Sequence, residues 1–183
     1  MTSEAIAAVG ERLRAILRDR LADEGIDRET VALGSPADLA AKATPRLGLY
    51  LYRIEPAREH TDRERRQSAP PLSLDLRYLL TAYPPSEGAS GGTLGQHRLL
   101  GLAMQTLHDV SVLDVPEAVD DREVRLSLEE RGPDDRAWVW ETFPETPYRP
   151  SVSYHVRPVV IDSRIDRTVP EVTDRRTSVS RSE

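Results

Sequence analysis

Within Pro70–Pro85, PPLSLDLRYLLTAYPP, the polar residues Ser73, Asp75 and Arg77 stand two apart, while Leu72, Leu74, Leu76, Tyr78 and Leu80 alternate with them. In an extended strand such spacing puts the polar set on one face and the apolar set on the other. A carboxylate beside a guanidinium can orient a bound group, or it can pair with a neighbouring strand or subunit. Under a covering helix the two are buried polar groups that need partners; uncovered, they form an exposed rim.

The other candidates for chemistry are scattered. His97 and His108 fall on nearly the same side of an expected helix, but eleven residues at 1.5 Å rise set them about 16 Å apart, too far to share a metal. His60 and His155 belong to no HExxH or i, i+4 pair and read as surface or capping histidines. No Gly-x-Ser-x-Gly or Ser-x-x-Lys occurs, and the glycines of EGASGGTLG lack both the P-loop ending and the dinucleotide-binding order. Asp75, Asp134, Asp135 and Glu141 could supply acid–base pairs, yet nothing in the chain sets two of them at a defined separation, and salt bridges or helix-start charges explain them. Without cysteine there is no thiol nucleophile, thiolate metal site or disulfide framework. No metal or cofactor is therefore expected. The enzymatic alternative is a small α+β enzyme or ligand-binding domain using Asp75, Arg77 and His97.

The surroundings of these residues bound the answer further. The 183 residues suit one domain with a tail left over, and 38% hydrophobic residues are enough for a core. A net charge of -6, with arginines mixed among carboxylates, argues against nucleic acid, whose binding needs clustered, uncompensated cations. Lys42 is the only lysine. The apolar runs are too short to span a bilayer, so no membrane partner is expected. Met1–Gly10 has no early basic cluster and leads into an amphipathic segment, which points to cytoplasmic synthesis.

The positioning elements follow from periodicity. Ile6, Val9, Leu13, Ile16, Leu17 and Leu21 make Ser3–Glu24 an amphipathic helix ended by Gly25. Val31–Leu33 is a short strand, and GSPADLAAKATP reads as a loop punctuated by Gly34, Pro36 and Pro45. LGLYLYRI, 47–54, is apolar on both faces, as a central strand covered on each side would be, and should form a hairpin with Leu72–Tyr83. Between them, 57–70 carries Arg58, Arg63, Arg65 and Arg66 and almost nothing apolar, a long mobile connection. The loop PPSEGASGG leads to Thr93 as N-cap of a helix over Leu94–His108. SVLDVP is a short apolar piece, and EVRLSLEE alternates with Val124, Leu126 and Leu128 inward. GPDDRAWVWETFPETP is a short helix or an aromatic loop, Trp138 and Trp140 being two apart. Tyr148–Val160 is the last strand, with Pro158 marking an edge position or a strand end. Beyond Ile165 the composition is that of a disordered tail. This order predicts an α+β fold with a mainly antiparallel or mixed sheet flanked by helices.

Three stretches, LGLYLYRIEP (47–56), PPLSLDLRYLLTAYP with GQHRLLGLAMQTLHDVSVL (70–113) and PYRPSVSYHVRPVVID (147–162), carry a specific resemblance. Together they resemble the cap, or tail-terminator, family of extracellular contractile injection systems, which are phage-tail-like particles. Tyr50, Tyr52, Pro56, Leu74, Asp75, Tyr78, Leu79, Leu80, Thr81, His97, Met104, Gln105, Leu107, His108 and Asp109 occupy the family's pattern. So do Tyr148, Arg149, Ser151, Val152 and Tyr154 in the closing element. Pro150 and the WVW run with its preceding GPDD depart from that pattern.

The resemblance implies a structural, non-enzymatic particle component with a fold like phage tail-terminator proteins. It would form a six-fold ring, a homohexamer, on the last layer of the inner tube and hold the distal end of the sheath. Its partners would be copies of itself, the inner-tube protein and the sheath protein, in a particle that is released from the cell. A ring subunit needs a heterologous interface, for which Arg58, Arg63, Arg65, Arg66, Asp75, Arg77, Arg175 and Arg176 are the candidate contacts. The expected division is a cap domain over 1–162 and a flexible tail over 163–183.

Overall fold

The computed structural model describes residues 4–42, 46–57, 71–84, 92–116, 123–129 and 133–163. Helix α1, Ala5–Asp23, buries Ala5, Val9, Leu13, Leu17 and Leu21, a four-residue stripe along one face. It stops where Gly25 takes a positive φ of 74°, and the amides of Gly25 and Ile26 donate to the carbonyls of Ala22 and Leu21. That pairing satisfies the otherwise orphaned last-turn acceptors, and glycine adopts the left-handed turn without a Cβ clash.

Strand β1, Val31–Leu33, runs parallel to β2, Leu47–Pro56. Between them lies a helix, α2, Pro36–Ala40, where the sequence reading expects only a loop. The local signal was present: Ser35 accepts from the Asp38 amide at 3.2 Å, and Pro36 opens the helix, where its missing N–H is harmless. α2 packs close. A Cβ on Gly48 of β2 would sit 2.5 Å from Leu39 Cδ1 and 3.0 Å from the Tyr83 ring.

β2 pairs antiparallel with β3, Leu72–Ala82, the hairpin that the alternation predicts. β3 pairs with β6, Ser151–Ile161, which pairs with β5, Val124–Leu128, and β5 with the short β4, Val112–Leu113. The order across the sheet is thus β1-β2-β3-β6-β5-β4. β6 is an interior strand, which corrects the edge position expected from Pro158. The pairing Leu74↔Val159 and Leu76↔Val156 sets Arg157 and Pro158 together opposite Asp75, and at such a bulge a missing N–H costs no ladder bond. β6 also starts at Ser151, not Tyr148. Leu128, expected inward, is 48% exposed.

Helix α3, Gly92–Asp109, already includes Thr93, which is therefore a first-turn residue and not the cap. α1 and α3 cover one face of the sheet, where Leu13, Leu49, Leu76, Tyr78, Leu80, Leu100, Leu107, Tyr154 and Val156 form a continuous core. The burial of Tyr154 pushes its phenol up to about 12. Helix α4, Pro133–Glu141, covers part of the opposite face. Two residues turn a helix by about 200°, so Trp140 goes inward at 7% exposure while Trp138 stays out at 55%. The free side of β1 is occupied by Arg18 of α1, whose Nε and Nη2 donate to the Val31 carbonyl at 3.2 and 3.0 Å. The expected connection over 58–70, the turn-rich residues 85–91 and the tail after 163 lie outside the described residues.

Candidate functional site

The face of the sheet away from α1 and α3 collects most of the charge chemistry, and an irregularity in β2 builds it. The register steps between Leu51 and Arg53: Leu51 faces Tyr78, while Arg53 faces Arg77 and Glu55 faces Asp75. One extra residue flips the parity of the strand. Tyr50 and Tyr52 before the step, and Arg53 and Glu55 after it, consequently share a face with Asp75 and Arg77. Without the step Ile54 would follow Tyr52 onto that face, and Glu55 would point into the core.

Arg77 is 4% exposed and meets two carboxylates. Its Nε donates to Glu55 Oε2 at 3.0 Å, and its Nη1 pairs with Glu129 Oε1. Glu129 follows β5, and its amide donates to the Ser153 carbonyl at 2.8 Å, so the guanidinium reaches across β6 to meet it. Tyr52 donates its hydroxyl to Glu129 Oε2 at 3.0 Å, and Arg53 Nε meets Glu55 Oε1 at 3.2 Å. Side chains of β2, β3 and the end of β5 are thereby tied in one charged chain that crosses β6. A buried guanidinium costs several kcal/mol to desolvate, and two carboxylates compensate it here.

Asp75 has a separate partner. Its Oδ2 lies 3.2 Å from His155 Nε2. Burial holds the His155 imidazole below its usual pKa; Asp75 pulls it upward, but Arg77 and Arg157 push it down. The ring is neutral near pH 7. His155, read from sequence as a surface or capping residue, is half-buried and paired.

The hydroxyl end of Tyr52 leads into a cleft of ≈ 280 Å³ lined by Tyr50, Tyr52, Trp138, Val139, Thr142 and Phe143. Tyr50 and Phe143 meet edge to face at 5.8 Å, and Trp140 and Tyr148 lie 5.4 Å apart. Trp140 Nε1 donates to Ser151 Oγ at 3.1 Å, which fixes α4 to the first residue of β6. The chain has nine aromatic residues, two Trp, six Tyr and one Phe, and six of them gather here. Four of those six line the cleft.

Of the residues singled out in the sequence, Asp75 and Arg77 come together as expected. His97 does not join them: it is exposed on α3, on the other side of the sheet. That separates the three residues on which the enzymatic alternative stands. Arg58, Arg63, Arg65, Arg66, Arg175 and Arg176 lie outside the described residues. Among the described residues no group of three or more His, Asp or Glu is placed to hold a metal ion, and no helix is long and apolar enough to cross a membrane.

The sequence reading missed Glu55, Glu129, Tyr52 and His155. Glu55 is hidden by the register step, and Glu129 and His155 by distance along the chain. Only the clustering of aromatics in 138–148 hinted at the cleft.

Comparison with known proteins agrees with this architecture. No curated protein matches the chain. The fold is similar to a PVC sheath/tube terminator of an extracellular contractile injection system in the extended state, with TM-score 0.58 and 14% identity, covering 97% of this chain and 64% of that one. It is also similar to the anti-feeding prophage cap, described as a tube terminating cap, with TM-score 0.60 and 15% identity, covering 93% of this chain and 60% of that one. The chain thus matches somewhat under two thirds of the length of either structure. The sequence profile of the Pvc16 N-terminal domain matches residues 8–175, nearly the whole chain, and the protein belongs to that family.

Proposed function

We propose that this protein is a structural cap, a tail terminator, of a contractile injection system. It forms a hexameric ring that ends the inner tube and anchors the distal end of the sheath. The observation that carries the reading is the family match over residues 8–175 on a fold shared with two tube terminators. Residues 1–162 form the cap domain and 163–183 a flexible tail. Arg58, Arg63, Arg65, Arg66, Arg175 and Arg176 pair with carboxylates of tube, sheath or neighbouring subunits, where a planar guanidinium gives bidentate, orientation-specific contacts. Asp75 and Arg77 shape a contact surface from beneath, Arg77 by fixing Glu129, on which Tyr52 rests, and Asp75 by holding His155. The protein is made in the cytoplasm and leaves as part of the particle.

Light scattering on the purified protein, together with electron microscopy of particles made with and without it, tests this. A hexamer, or a monomer that forms rings only on tubes, is expected, and particles lacking the protein should show open or irregular tube ends. A monomer that never associates with tubes, alongside normally capped particles in its absence, would overturn the proposal.

A further inference from the structure

The aromatic cleft between β2 and α4 has a chemistry that narrows what could occupy it. Its ≈ 280 Å³ is small for a metabolite pocket, which usually spans roughly 300–1,000 Å³, but suits one or two side chains of an extended peptide. Its walls are mostly aromatic rings. Trp138 presents one of them to solvent at 55% exposure, although the same short helix buries Trp140. The exposed carboxylates Glu141 and Glu145 flank the lining residues Thr142 and Phe143. Aromatic rings edged by carboxylates favour guanidinium, through cation–π contact and charge pairing together.

The chain carries such a segment. Residues 164–183 follow the last described residue, and within them Arg175, Arg176 and Arg181 have no acidic residue between them. β6 runs away from the cleft: Ser151 is bonded to Trp140 beside it, and the strand ends at Ile161. At about 3.3 Å per residue, the steps from Ser151 to Ile161 leave its own cleft roughly 33 Å behind. Twenty further residues reach at most about 65–70 Å when extended, long enough to extend well clear of their own subunit.

We infer that the cleft between β2 and α4 receives the arginine-bearing C-terminal segment 164–183 of a second copy of this chain, so that each subunit of the ring clasps the next. This rests on the ring reading for its biological setting, but not for its test. Because the chain has no cysteine, single thiols report proximity cleanly. Full-length Thr142→Cys and Thr177→Cys proteins are mixed under mild oxidation and resolved on non-reducing gels, with Glu24→Cys, exposed after α1, as the control for chance collision. Cross-linked dimer of the first pair should exceed the Glu24→Cys and Thr177→Cys pair at least fivefold. Adding Trp138→Ala should return it to control levels, and Trp138→Phe, which keeps a ring face, should preserve most of it. The double variant Thr142→Cys, Thr177→Cys should give covalent oligomers.

Yields equal to the control, or yields unchanged by Trp138→Ala, would overturn the inference. An internally closed monomer from the double variant would overturn the assignment to a second copy. Light scattering on the same unoxidised samples separates the two ideas. A ring without the cross-link leaves the cap reading standing and ends this one.

Discussion

The two faces of the sheet are built from different physics. Under α1 and α3, side chains from both helices and all six strands form one apolar core, with Leu13, Leu76, Tyr78 and Leu80 almost wholly buried. Among the described residues, the opposite face buries Leu79, Val139 and Trp140 as a small apolar cluster, and beside it spends its interior on Arg77, Glu55, Glu129, Asp75 and His155. Apolar burial is non-directional and sums to stability. A charged chain does not add much net stability, because desolvation offsets attraction, yet it tolerates few arrangements. The first face therefore keeps the protein folded, and the second holds a surface in one shape.

Breaking the second face by removing a single charge should have the largest effect. Arg77→Ala leaves Glu129 buried without its cation and should cost about 3–5 kcal/mol in chemical denaturation, the range for halving a buried ion pair. On the apolar face, Leu76→Ala should cost about 2–5 kcal/mol through lost burial and the cavity left behind. Replacing the pair together, Arg77→Met with Glu129→Leu, sharpens the contrast, since stability should return to within about 1 kcal/mol of wild type while thiol capture at the cleft falls. If that double change leaves capture intact, the network has no role in shaping the surface.

A smaller effect comes from His155. Its folded pKa is depressed, so between about 6.5 and that lower value the unfolded chain binds the proton more readily. Stability should hold at neutral pH, fall as pH drops through this window and level off below it. His155→Gln should flatten that limb, as followed by denaturant midpoints against pH. The smallest change belongs to Trp138→Ala, which should stay within about 0.5 kcal/mol of wild type, as exposed substitutions do.

Much of the first face was legible in the sequence because periodicity reports it directly. The stripe from Val9 to Leu21 and the alternation from Leu72 to Leu80 each state a helix or strand together with its buried side. The second face was legible only as Asp75 and Arg77. Their partners are set by a register step at Tyr52 and by strands eighty and fifty residues further on, neither of which leaves a local pattern. Pro158 misled for a related reason: proline marks an edge or a bulge alike, and only strand order separates them. α2 was misread because proline and serine punctuate loops and open helices equally well.

The guanidinium of Arg18 on the Val31 carbonyl bears on how such a protein survives before it is used. A naked outer strand is a template on which further chains can stack without limit, and a subunit stored at high concentration would be lost to fibres. Here an incoming strand would have to evict a cation that already holds two hydrogen bonds at that edge. Growth by sheet extension is thus checked on the β1 side. That edge is closed to open-ended stacking while still leaving the molecule's other surfaces available.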